Sequence, residues 1–134
     1  MLRGFSNEVA VSRLTRACNY RCGIVNEVVS GMLNPTEELQ DATAELVNWA
    51  SKPECLGFNA RFLLAVADWA THEAEHQATV AARNNEAINT VLKSQYVKPS
   101  DLRPYQTRRA GARRWSMAYV RAAEVFTAAA ACLA

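Results

Sequence analysis

FNARFLLAVADWATHEAEHQATVAARNNEAINTVL, residues 58–92, decides the fold class. Phe58, Phe62, Val66, Trp69, His76, Val80, Ala87 and Val91 recur at steps of mostly three, four and seven residues. That is the period of one face of an α-helix, and the stretch is far too long for a strand. Neither Pro nor Gly interrupts it. One long helix is therefore predicted over Phe58 to Leu92.

The flanks read the same way. Upstream, Asn34 is placed as an N-cap and Pro35 at the first helical position, with Glu37 and Glu38 in the first turn. The stripe Leu39, Ala42, Leu46, Trp49 follows, and Ser51-Lys52-Pro53 ends this segment. An earlier helix is predicted over Ser6 to Leu33, with Leu14, Cys18, Val25, Val29 and Met32 on one face. Downstream, Lys93 to Asp101 forms a connector containing Pro99. A last helix is predicted from about Asp101, with the stripe Trp115, Ala118, Ala122, Val125, Phe126, Ala129, Leu133. Gly111 is expected to loosen its first turns. No strand-like alternation of useful length and no internal repeat is present. The expectation is an all-α protein, a compact bundle of about four helices with one long central helix, and residues 1–134 as a single helical domain.

Composition agrees. Half of the 134 residues are hydrophobic and 21% are charged, which is globular rather than disordered composition. No apolar run approaches the length of a membrane span, so no membrane partner is expected. Met1 to Arg21 holds four Arg and a single acid, Glu8. It reads as a basic first helix, although its composition also resembles that of an organellar targeting peptide. The cysteines are Cys18, Cys22, Cys55 and Cys132. Cys18 and Cys22 share a predicted helix face and lack the two-residue spacer of zinc knuckles, so they read as small buried hydrophobes in a reducing, cytoplasmic setting.

His72-Glu73-Ala74-Glu75-His76 matches H-E-x-x-H and its inverted form. Two His four apart on a helix project side by side and could hold zinc while Glu73 takes a proton from bound water. These are the only His in the chain, and no third ligand is evident from the sequence. A di-iron bundle needs a second Glu-x-x-His on another helix, which the chain lacks. The bland alternative places His76 on the buried stripe with a hydrogen-bond partner and Glu73 and Glu75 toward solvent. Phosphate-cradling Gly loops and nucleophile elbows are absent. The chain is read as non-catalytic, with no cofactor and no metal. A zinc-dependent hydrolase using His72, Glu73 and His76 is the enzyme alternative.

The charge pattern points elsewhere. Lys93, Lys98, Arg103, Arg108, Arg109, Arg113, Arg114 and Arg121 face one acid, Asp101, over the same stretch. Residues 25–92 hold ten acids against Lys52, Arg61 and Arg83. A net charge of +2 thus conceals a strongly polar chain, suited to a polyanion or to further copies of itself. Arg forks pair with phosphate oxygens, and Tyr105, Trp115 and Tyr119 interleave with them as stacking surfaces. The candidate nucleic-acid-binding residues are Arg108, Arg109, Arg113, Arg114, Arg121 and Trp115.

Pro35-Thr36-Glu37-Glu38-Leu39, with Ala42 and Glu45-Leu46-Val47, resembles the opening of the core domain in coat proteins of flexuous filamentous plant RNA viruses, the potexvirus group above all. Asn59-Ala60-Arg61-Phe62 with Ala65-Val66 is similar to that family's next helix start, and Ile88-Asn89, Leu92 and Pro99 to the helix end before its connector. Arg114-Trp115-Ser116-Met117-Ala118-Tyr119-Val120 keeps the basic–aromatic opening of the family's C-terminal run but lacks its Asp. The resemblance covers about half the chain and implies an all-helical coat subunit that holds RNA phosphates in a groove. The expected function is a self-assembling helical structural protein that binds single-stranded nucleic acid, RNA above all, through its basic C-terminal third, as a homo-oligomer located in the cytoplasm or virion. A helical accessory subunit of a larger complex is the remaining alternative.

Overall fold

A computed structural model describes residues 23–33, 38–52, 59–94 and 96–134. All regular structure among them is α-helical: α1 (Gly23–Gly31), α2 (Leu39–Ala50), α3 (Ala60–Leu92) and α4 (Pro99–Leu133). The all-α expectation and the long central helix are therefore seen directly. Residues 6–22 of the helix predicted over Ser6 to Leu33, the Asn34 cap with Pro35, and Cys55 lie outside the described residues.

Capping sets the helix starts. Asn59 is extended (φ −90°, ψ 175°) and its side chain accepts the Phe62 N–H at 2.9 Å, satisfying one orphan donor of the first turn of α3. Glu38 is also extended (φ −84°, ψ 136°), so α2 begins at Leu39. Glu38 thus precedes the helix rather than sitting in its first turn, where Asp41 is the acid. α4 begins two residues before the expected Asp101. Pro99 takes the first helical position, and the Asp101 carboxylate accepts the Lys98 N–H at 3.0 Å. The connector is correspondingly shorter. Pro104 lies inside α4 and removes one helical hydrogen bond near its start. Gly111 does not interrupt the run of helical residues.

α3 and α4 form an antiparallel hairpin about 50 Å long at 1.5 Å per residue. α1 and α2 pack onto α4. The shared core draws Leu63, Val66, Ala67, Trp69 and Ala70 from α3. From α4 it draws Ala118, Ala122, Val125, Phe126, Ala129 and Ala130. Val25, Val29 and Met32 of the α1 region and Ala42 and Leu46 of α2 close it. Beyond Ala70 on α3 and before Ala118 on α4 that core stops. There the buried residues are Ala74, Ala81, Ile88 and Ala112, all on the seam of the hairpin. The distal half is a two-helix arm.

This arm corrects the sequence reading of α3. The predicted face holds at Val66 and Trp69, which are buried, and then departs. Ala67, Ala74, Ala81 and Ile88 carry the seam at steps of seven, the repeat by which two long helices stay in register as they wind about one another. Val80, Ala87 and Val91 are only half-buried, and His76 is exposed rather than buried with a partner. Alanine at these positions lets the backbones come close. Ser116 Oγ reaches across the seam to donate to the Ala74 carbonyl at 2.9 Å.

Candidate nucleic-acid interface

Six basic residues of the C-terminal third sit on the distal arm or its tip: Lys93, Lys98, Arg103, Arg108, Arg113 and Arg114. All six are exposed. Among the described residues no carboxylate forms an ion pair with any of them; the ion pairs found involve His72. A cluster of unneutralised cations on a slender support raises the local positive potential and attracts counter-anions.

The predicted site residues do not form one patch. The Arg108 guanidinium lies 5.9 Å from the centroid of the Tyr105 ring, one turn earlier. Trp115, seven residues on from Arg108 and hence on the same side of α4, is 38% exposed. Its ring packs against Tyr119 at 6.0 Å with 37° between planes. Arg114 lies on the same side of α4 as Arg103 and Arg121, eleven residues before and seven after. Arg113 turns to another side, where it lines an open groove with Ala78, Ala82 and Met117.

Two of the candidates have structural work. Arg109 donates from Nη1 to Asn85 Oδ1 at 2.8 Å, tying α4 to α3 within the arm. Arg121 donates from Nη1 to the Met32 carbonyl at 3.3 Å, just past the end of α1, where helix carbonyls lack partners and a cation is favoured. Sequence spacing could not show either tie, because Asn85 and Met32 are distant in the chain. Arg103 is the one arginine of the basic block outside the predicted site; its spacing to Arg114 was the available signal.

At the root of the arm lies an aromatic cluster. Trp69 meets Tyr119 edge to face at 5.7 Å and 88°. The Trp69 indole N–H is buried and meets no acceptor among the described residues. Burial pushes the Tyr119 phenol above its ordinary pKa of 10.0, and the nearby Glu73 carboxylate adds to the shift.

The His-Glu-Ala-Glu-His segment does not build a metal centre from the described residues. His72 lies within 3.8 Å of Asp68 and 3.9 Å of Glu75, on the surface of α3. Among the described residues no three His, Cys, Asp or Glu side chains converge on a point that could hold a metal ion. No helix among them is long and apolar enough to cross a membrane. Cys132 is exposed and has no disulfide partner among the described residues.

Comparison with known proteins finds no family model that matches this chain, and no curated protein or solved structure that matches it.

Proposed function

We propose that this chain is a self-assembling, non-enzymatic helical subunit that binds single-stranded RNA along its basic arm, of the kind that coats a viral genome. The observation that carries the reading is the arm itself. It carries Arg103, Arg108 and Arg114, all exposed, on the same stretch of α4 as the part-exposed Trp115 ring, and among the described residues no carboxylate pairs with any of the three arginines. Guanidinium groups engage phosphate oxygens, and an exposed aromatic face stacks on a base without regard to its identity. A coat subunit needs that sequence-tolerant recognition together with contacts to its own copies. The sequence resemblance of residues 35–47 and 59–66 to the coat core of filamentous plant RNA viruses supports the same class.

The test is binding of the full chain to a labelled single-stranded RNA, followed by fluorescence anisotropy over a range of salt concentrations. The logarithm of the affinity should fall linearly with the logarithm of salt, by about 0.7 for each phosphate contacted. Replacing Arg103, Arg108 and Arg114 together by Ala should weaken binding by about a hundredfold and flatten the slope by about 2. The helical circular dichroism should not change. Affinity that is indifferent to salt and to the triple substitution rejects the reading.

A further inference from the structure

α4 presents three separate faces, and the described residues cover only two of them. Ala112, Ser116, Tyr119, Ala123, Phe126 and Ala130 step by four and three toward α3, as the Ser116–Ala74 hydrogen bond and the Trp69–Tyr119 contact show. Ala118, Ala122, Val125 and Ala129 lie on the side of Arg121, which bonds to the end of α1, and all four are fully buried. The third face steps through Arg113, Met117, Val120, Glu124 and Thr127 at four, three, four and three. At 100° per residue it points away from the α1 and α2 side. Met117 is 52% exposed and Val120 41% exposed. Open grooves run along this face between α3 and α4, floored by alanines such as Ala78, Ala82 and Ala128. A seven-residue seam with two large apolar side chains at its middle is the pattern of a helix that meets another helix.

The order of residues along this face identifies the other helix. Arg113 stands four residues before Met117, and Glu124 stands four residues after Val120. Ala110 stands three residues before Arg113, and Thr127 three after Glu124. The face therefore reads as its own complement when reversed. A second α4 laid antiparallel across a two-fold axis midway between Met117 and Val120 sets Met117 against Val120 of the second copy, and Arg113 against Glu124 of the second copy. Each contact occurs twice, as an isologous interface requires.

We infer that the Arg113–Met117–Val120–Glu124 face of α4 is the surface through which two copies of this chain pair, antiparallel and two-fold symmetric. This deepens the self-assembly half of the proposed function and rests on it. It also leaves Arg103, Arg108 and Trp115 outside the pairing face and free for RNA.

Charge reversal tests the register. Arg113 and Glu124 are both exposed, so reversing either leaves the bundle intact, which circular dichroism checks. Arg113→Glu alone places Glu against Glu twice, and Glu124→Arg alone places Arg against Arg twice. Each variant, freed of nucleic acid, should dimerise at least about tenfold more weakly than the native chain by analytical ultracentrifugation. An equimolar mixture of the two variants restores both pairs and should dimerise within about threefold of the native chain. Oligomers that ignore all three conditions overturn this face while leaving self-assembly standing. A native chain that stays monomeric at every concentration overturns both.

Discussion

The two halves of the α3–α4 hairpin are made from the same two helices and held together by different physics. At the base, α1 and α2 cover α4, and Leu63, Val66, Val125 and Phe126 are completely enclosed. In the distal arm the seam is Ala74, Ala81, Ile88 and Ala112, and polar ties such as Arg109–Asn85 and Ser116–Ala74 take over part of the work. Burial of large apolar side chains contributes about 1.5–3 kcal/mol each, whereas an alanine removes far less surface from water. The base therefore carries the stability, and the arm carries the charge. A cluster of cations repels itself and costs least where solvent surrounds it, so it suits the thinly packed half.

The strongest way to break this contrast is to attack the base. Phe126→Ala should cost about 3–5 kcal/mol, measured by denaturant unfolding, because it leaves a cavity at the meeting point of α3 and α4 in the core. A loss below about 1 kcal/mol would mean that the base is not the stabilising half. A smaller effect is expected from Ala81→Leu, which forces a bulky side chain into the arm seam and should cost about 1–3 kcal/mol. Its signature is local. Hydrogen exchange should accelerate over about residues 75–115 while the base stays protected. Uniform acceleration would show that the arm and base unfold as one unit.

The smallest effect concerns Tyr119, where arm and base join. Its phenol pKa is raised in the folded chain by burial and by Glu73. Its contribution to stability is therefore complete below the unfolded value of 10.0 and is lost as pH rises through the raised one. Thermal stability should fall above about pH 10, and Tyr119→Phe should reduce that fall. An unchanged alkaline profile in the variant would place the cause in another group.

Particular residues show how much the sequence could reveal. The helix over Ala60–Leu92 was legible because Phe62, Val66 and Trp69 repeat with helical period and nothing interrupts them. The seam of its distal half was not, because hydrophobic patterning follows large side chains and this seam is built from alanines. That is why His76 and Val80 looked buried and Ala74 and Ala81 did not. The early start of α4 was legible in principle, since Pro99 and Asp101 occupy favoured first-turn positions, but Pro99 reads equally well as a connector residue. The basic block was legible as charge. Its division was not: Arg109 answers to Asn85 and Arg121 to Met32, and both pairings are set by the hairpin and by the docking of α1.

By itself the sequence determined that this chain is helical, where its longest helix lies and which third of it is positively charged, because those properties follow from local periodicity and composition. Only the tertiary structure decided which faces of α4 are covered and which arginines remain free. Those depend on where α1, α2 and α3 come to rest against one helix, and side chains far apart in the chain must meet before the answer exists.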